Sequence, residues 1–230
     1  MSSASMDKNP QEVAAMFDGV AKRYDIVNDI LSLGRTKAWR SAATKVIAPT
    51  SGMKILDLAA GTGSSSEPLA KAGADVTAAD FSEGMIAAGR KARPHLNFVK
   101  ADALSLTFPD NTFDLLTISF GLRNTENTAK ALAEARRVVK PGGRLVVVEF
   151  SSPTFAPFRA IYMNYLMRAL PFIARKTSSN PDAYIYLAES IRAWPDQKAL
   201  AAQIVDAGWS QVGWKNLTGG VVAIHMALAP

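Results

Sequence analysis

The 230-residue chain contains no cysteine. That absence removes disulfides, thiolate metal sites, thiol nucleophiles and cysteine redox chemistry together. Histidine is almost as scarce. The two present, His95 and His225, lie far apart and have no ligand-like spacing to other residues, so neither a protein-built zinc site nor any other metal is expected. Long apolar runs are missing too. The most apolar stretch, residues 155–174, is interrupted by Arg159, Asn164 and Arg168 and carries Pro157 and Pro171, which argues against a membrane-spanning helix. Residues 1–10 are polar and lack the apolar centre of a signal peptide, so a cytoplasmic protein is expected. There is no internal repeat and no low-complexity tract.

What is present fits one α/β domain. At 48% hydrophobic residues the chain can bury a sizeable core, and no second full domain is expected. A net charge of +6 and a pI near 9.6 suit nucleic acid, anionic headgroups or an acidic ligand equally, and charge alone does not choose among them. Helical patterning over residues 13–24 and 37–47 predicts an N-terminal cap, ended by the breaker Pro49-Thr50-Ser51-Gly52. A βαβα rhythm follows: strand 54–58, helix 66–72, strand 74–79, and helix 83–92 with Ser82 as its N-cap. Further strands are expected at 97–100, 113–120 and 144–150, the last after a helix ending at Pro141-Gly142-Gly143. Short apolar strands between helices imply a mostly parallel sheet covered on both faces. Residues 155–194 read as a helical insertion forming a lid, followed by a helix at 197–207 and closing strands at 211–216 and 221–228. The expected layout is a single domain over 1–230, with cap 1–50, core 51–150, insertion 151–194 and a C-terminal helix and strands at 195–230.

The sharpest local signal is Ile55-Leu56-Asp57-Leu58-Ala59-Ala60-Gly61-Thr62-Gly63, a buried strand entering a glycine-bearing turn and then a helix. Such a turn lets a ligand approach backbone closely, and it would lie at the crevice beyond the strand ends. About 20 residues on, Asp80 ends the second strand, where its carboxylate can accept from both hydroxyls of a ribose. A dinucleotide site shares these features but wants a third glycine where this chain has Ser66. Asp57, just before the turn, suits orienting the loop that faces a cationic ligand better than it suits a pyrophosphate. The plainer alternative is that Gly61 and Gly63 make a tight turn and Asp80 caps a helix. Asp102, beside the small Ala103, can accept from an adenine amino group or serve as an ordinary loop aspartate. Ser119 can reach the crevice from the fourth strand or simply end it.

Taken together these segments resemble class I S-adenosylmethionine-dependent methyltransferases, and more narrowly the ubiquinone/menaquinone biosynthesis C-methyltransferase family. The likeness runs through Met16-Phe17-Asp18-Gly19-Val20-Ala21, Tyr24-Asp25 and Asn28, Leu56 to Gly63, and Thr117-Ile118-Ser119-Phe120-Gly121-Leu122-Arg123-Asn124. It continues in Lys140 to Leu145, Glu149-Phe150-Ser151, Tyr186-Leu187-Ala188-Glu189-Ser190-Ile191 and Asn216 to Ala223. The resemblance implies a Rossmann-like, roughly seven-stranded, mostly parallel sheet with an antiparallel last strand. It also implies contacts to S-adenosylmethionine from Thr62, Asp80, Asp102 with Ala103, and Ser119. Ser64 departs from the pattern, because many members carry aspartate there. Asn180-Pro181-Asp182 and the Arg192-to-Gln197 run are more similar to the menaquinone-only branch than to the dual-quinone one.

The implied reaction sets demands that the residues can be checked against. A reduced quinone ring attacks through carbon once one hydroxyl ionises, so the site needs a group that stabilises phenolate and a route for protons. Arg123 and Asn124, just after the fourth strand, are the candidates: Arg123 as an electrostatic stabiliser, since a guanidinium keeps its proton, and Asn124 to orient water or the hydroxyl. Alternatively Arg123 is a structural ion-pair partner for Asp57 or Asp80. His225 reads as a strand residue. A polyprenylated quinol needs shelter for its tail, and Phe158, Ile161, Tyr162, Tyr165, Leu166 and Ala169 at helical spacing can line a groove, lie on a membrane surface or pack in the core. Peripheral contact at the inner face of the membrane and a homo-oligomer are both compatible with the sequence. Nucleic acid is not an expected partner: the turn after the fourth strand lacks the Asn/Asp-Pro-Pro-aromatic motif, there is no cysteine nucleophile, and no basic–aromatic module is recognisable.

Overall fold

The computed structural model describes residues 11–13, 15–16, 32, 34–169 and 181–230. Seven strands form one sheet: β1 (Lys54–Leu58), β2 (Asp75–Asp80), β3 (Asn97–Lys100), β4 (Phe113–Ser119), β5 (Val139–Phe150), β6 (Ser210–Leu217) and β7 (Val222–Leu228), in the order β3-β2-β1-β4-β5-β7-β6. The first five pair in parallel, and β7 runs antiparallel to both β5 and β6. The order reverses between β1 and β4. Their carboxyl ends therefore diverge into a crevice, and the turns after β1, β2 and β4 all open on it.

The residues explain the layers. In β1 every position after Lys54 is buried, which requires helices on both faces of the sheet. Helix α1 (Thr36–Ile47) buries Trp39, Ala43 and Ile47, spaced one turn apart, and its last turn is tied to β5 where Arg144 Nη2 donates to the Ile47 carbonyl at 2.7 Å. Helix α2 (Ser66–Lys71) follows the β1 turn, and α3 (Glu83–Ala92) starts at Ser82, whose hydroxyl accepts from Met85 N at 3.0 Å. Helices α4 (Thr128–Val138) and α7 (Gln197–Asp206) are capped in the same way by Asn127 and Asp196. Helix α5 (Ala156–Asn164), a π-type turn at Tyr165–Ala169 and helix α6 (Pro181–Ala193) complete the helical part after β5. No described helix is long and apolar enough to cross a membrane.

One boundary differs from the sequence expectation. The helix before β5 stops at Val138, and Pro141-Gly142-Gly143 lies within β5, where the pairing with β4 shifts register after Phe113. Val139 already pairs with Phe113, so the proline and glycines form a bulge inside the strand. Of the first expected helix, only residues 11–13 and 15–16 are described, and they are helical. There Val13 and Met16 pack with Tyr186 of α6. The rest of that segment and Asn180 lie outside the described residues.

Candidate active site

Two adjoining cavities occupy the crevice. The smaller, about 130 Å³, is walled by Asp80, Phe81, Ser82 and Met85 from the β2 end, Asp102, Ala103 and Leu104 after β3, and Gly121, Asn124 and Thr125 after β4. The larger, about 470 Å³, lies between α1, the ends of β4 and β5, and α5 with the π-type turn. Ala59, Gly61, Ser119 and Phe120 line both, so these four residues form the seam between them.

The seam is built from unusual backbone. Ala59, Gly61 and Phe120 all have positive φ, at 58°, 57° and 60°, which turns each strand end sharply away from the sheet. Gly61 N donates to Asp80 Oδ2 at 2.7 Å, and Ser82 N donates to Asp80 Oδ1 at 2.9 Å. The carboxylate is thus fixed by the two turns it joins. Gly121 sits so close to Ala59 that a Cβ on it would lie 2.3 Å from the Ala59 Cβ. Gly121→Ala is therefore expected to cost ~1–3 kcal/mol of stability and to weaken binding in the smaller cavity. Ala59→Gly in the same chain should recover most of both, because glycine tolerates the positive φ at 59. Calorimetry and thermal melts of the single and double variants check this, and a double variant no better than Gly121→Ala would refute it.

Behind the wall lies a second layer. Asp57 is fully buried and lines neither cavity. Its Oδ2 accepts from Ser65 Oγ at 2.7 Å and Ser66 Oγ at 2.6 Å, while Oδ1 is buried with no partner among the described residues. The position where a dinucleotide site needs glycine is thus filled by a serine side chain that ties α2 to β1. Thr62 is also buried, its carbonyl accepting from Arg93 Nη1 at 2.9 Å, and Gly63 packs where a Cβ would meet the Phe98 ring at 2.7 Å. Thr62 and Gly63 line neither cavity, whereas Gly61, Asp80, Asp102, Ala103 and Ser119 do.

Burial raises the Asp57 carboxyl to about 6 from 3.8, against the lowering effect of the Ser66 and Ser65 donors; Asp80 adds to the rise and Arg40 opposes it. The folded protein therefore holds this proton more tightly than the unfolded chain. Its stabilising effect is complete below about pH 4 and is lost as pH rises through about 6. Asp57→Asn should flatten that dependence by about 2 kcal/mol between pH 4 and pH 7. Denaturant titrations at both pH values provide the measurement, and parallel curves for wild type and variant would contradict it.

The turn after β4 separates the two expected catalytic residues. Leu122–Asn124 forms one 3₁₀ turn, in which successive side chains diverge by about 120°. Asn124 consequently faces the smaller cavity, 3.4 Å from the Tyr186 hydroxyl, while Arg123 faces the larger one. Arg123 is 4% exposed and pairs with neither Asp57 nor Asp80. Its Nη1 lies 2.8 Å from Glu149 Oε1, an ion pair not foreseen from the sequence.

The larger cavity is mostly apolar. Trp39, Phe120 and Phe150 meet in one aromatic wall, tilted or edge-on with ring centroids 5.1–6.2 Å apart, and Phe158, Tyr162 and Leu166 extend the lining. Its charged lining consists of Arg35, Arg40 and Arg123, with no carboxylate among the described residues. Burial raises the Tyr162 hydroxyl well above the ordinary tyrosine range, partly offset by Arg123. Ile161 lines the same cavity yet is 69% exposed, which marks the mouth. Arg40 Nη2 donates to Ser64 Oγ at 3.2 Å, so the serine in place of the common aspartate still holds α1 to the β1 turn. His225 lies in neither wall; its Nε2 donates to the Gln197 carbonyl at 2.8 Å, and burial lowers its pKa.

Residues 5–229 match the model of the ubiE/COQ5 methyltransferase family. The chain belongs to this family. It is 60% identical over 227 residues to a demethylmenaquinone methyltransferase of Renibacterium salmoninarum, covering 99% of this chain and 96% of that one. Identity to the demethylmenaquinone methyltransferase of Mycolicibacterium paratuberculosis is 59%, over 100% and 99% of the two chains. Among solved structures, a SAM dependent methyltransferase from Aquifex aeolicus superposes with a TM-score of 0.59 at 20% identity, over 83% of this chain and 89% of that one. The [4+2]-cyclase SpnF gives 0.63 at 18% identity over 83% and 79%, which speaks to the fold alone. The chain is thus an S-adenosylmethionine-dependent methyltransferase with the class I Rossmann-like fold. Its own residues fit that cofactor: Asp80 ends β2 as a fixed acceptor in the smaller cavity, beside a positive-φ glycine and the Asp102-Ala103 loop.

Proposed function

We propose that the chain methylates a ring carbon of reduced demethylmenaquinone, giving menaquinol. The observation that carries this reading is the larger cavity: an apolar, aromatic-walled space joined to the cofactor side through Ala59, Gly61, Ser119 and Phe120, with arginines as its charged lining. A planar aromatic ring with an apolar tail fits such walls, and a developing phenolate fits the arginines. The names of the 60%-identical relatives support the same substrate.

Asp80 would hold the ribose hydroxyls, and Asp102 with Ala103 the adenine. Gly61 and Ser119 at the seam would face the reacting end. When bound, S-adenosylmethionine supplies an electrophilic methyl group on a cationic sulfur. The protein's part is to align and to stabilise charge. Arg123 stabilises the quinol oxygen as it ionises, which makes the adjacent ring carbon nucleophilic. An arginine does not take up a proton, so the proton released from that carbon passes to water. Asn124, on the smaller cavity, steadies the cofactor side of the turn. The polyprenyl tail leaves past Ile161, and the exposed Ile161 would meet the membrane surface at that mouth.

Lipid extracts test the assignment. A strain lacking this gene should accumulate demethylmenaquinone and recover menaquinone on complementation. Normal menaquinone in the deletion strain, or loss of a ubiquinone-pathway methylation instead, would overturn the substrate.

A further inference from the structure

Glu149 has no place in the mechanism above, yet it is a carboxylate buried at the end of an apolar strand. It closes β5 in the run Leu145-Val146-Val147-Val148-Glu149-Phe150 and is 1% exposed. Its Oε1 accepts from Arg123 Nη1 at 2.8 Å and from Phe150 N at 2.8 Å; its Oε2 accepts from Arg123 N at 3.3 Å. Arg123 Nη1 also donates to the Phe120 carbonyl at 2.5 Å, and the guanidinium carbon lies 5.1 Å from the Phe150 ring centroid. These restraints engage Nη1 and the face of the guanidinium. Nε is buried with no partner among the described residues. Arg123 lines the larger cavity and Glu149 does not.

We propose that Glu149 is a positioning residue acting through Arg123: it fixes the guanidinium at the cavity wall, where it faces the quinol oxygen, and sets how strongly that guanidinium favours phenolate. This rests on the proposed quinol reaction. A lone guanidinium in an apolar wall would cost several kcal/mol to bury, whereas the Arg123–Glu149 pair is neutral. A neutral quinol can therefore approach Arg123 without meeting an unbalanced charge at that wall. The phenolate then meets the guanidinium directly, with the carboxylate on the other side of the wall moderating its pull. Other charged or titratable groups facing the cavity are Arg35 and Arg40 from α1, and Tyr162 and Tyr165 from α5 and the π-type turn. Tyr186 of α6 lies within electrostatic reach of Arg123. Strand β7 presents Ala223 opposite Glu149 and, two residues on, His225 with its ring engaged by Gln197.

The test is single-turnover methylation of a reduced short-chain demethylmenaquinone across pH, with S-adenosylmethionine affinity measured alongside. Wild-type turnover of this probe first establishes the underlying reaction independently. Glu149→Gln keeps the shape and an acceptor but removes the charge. Its rate should rise with pH about one unit earlier than wild type, because Arg123 is no longer offset. Glu149→Asp keeps the charge but shortens the reach. It should leave the pH profile in place and lower the plateau rate about tenfold or more at unchanged cofactor affinity. A merely structural Glu149 would lower thermal stability in both variants and leave the profile where it is. A folded Glu149→Gln with an unshifted profile overturns the proposal. If Glu149→Gln fails to fold, Glu149→Asp decides: a wild-type plateau overturns the proposal, and a loss confined to the rate supports it.

Discussion

Replacing Arg123 by alanine should lower kcat for quinol methylation by ~10²–10³ while leaving S-adenosylmethionine affinity nearly unchanged. The division follows from the walls of the two cavities. Arg123 lines only the larger one, whereas Asp80, Asp102 and Ala103 line only the smaller. A donor that acts on charge developing in the transition state affects the rate more than ground-state binding. The alanine variant also strands Glu149 as an unpaired buried carboxylate, which should cost ~3–5 kcal/mol of stability, so rates belong well below its melting temperature. Arg123→Lys is the informative companion. It offers Glu149 a cation but has no planar fork, and should recover only part of the rate. Single-turnover rates with parallel calorimetry make the check. Near-normal methyl transfer in folded Arg123→Ala would remove this residue from the mechanism, and a matching collapse of cofactor binding would assign it a structural role.

Asp80→Ala should weaken S-adenosylmethionine binding by ~1.5–3 kcal/mol, through loss of charged-acceptor hydrogen bonds. Asp80 also holds the Gly61 and Ser82 amides, so its removal loosens the β1 and β2 turns together. Asp80→Asn keeps one acceptor oxygen and should fall between wild type and alanine. Titration calorimetry of the three proteins reads this directly. Unchanged affinity in Asp80→Ala would place the cofactor elsewhere.

The contrast between these two residues shows what the sequence could and could not convey. The place of Asp80 in the crevice was legible because it lies in chain order: a carboxylate at the end of the second strand, about 20 residues after a glycine-bearing turn. The period of the apolar residues likewise conveyed the sheet, and Ser82 showed as a cap because the signal is local. The partner of Arg123 was not legible. Glu149 is 26 residues away on the neighbouring strand, and only the β4–β5 pairing brings the two together. One hint was available: a single carboxylate ending an apolar strand must find a cation or a donor set when buried. The opposed directions of Arg123 and Asn124 depend on the 3₁₀ turn, which composition does not announce. The Pro141-Gly142-Gly143 boundary differs from its sequence pattern for a related reason. Those residue types end helices and also make bulges, and pairing with β4 decides between the two.

The central claim is that the larger cavity presents a reduced quinone ring to the methyl donor for carbon attack. The most direct measurement is incubation of the purified protein with methyl-labelled S-adenosylmethionine and chemically reduced demethylmenaquinone, followed by location of the label in the product. The account predicts one labelled methyl on the ring carbon, dependent on reduction of the quinone. A label on the quinol oxygen, or equal transfer to the oxidised quinone, would contradict it.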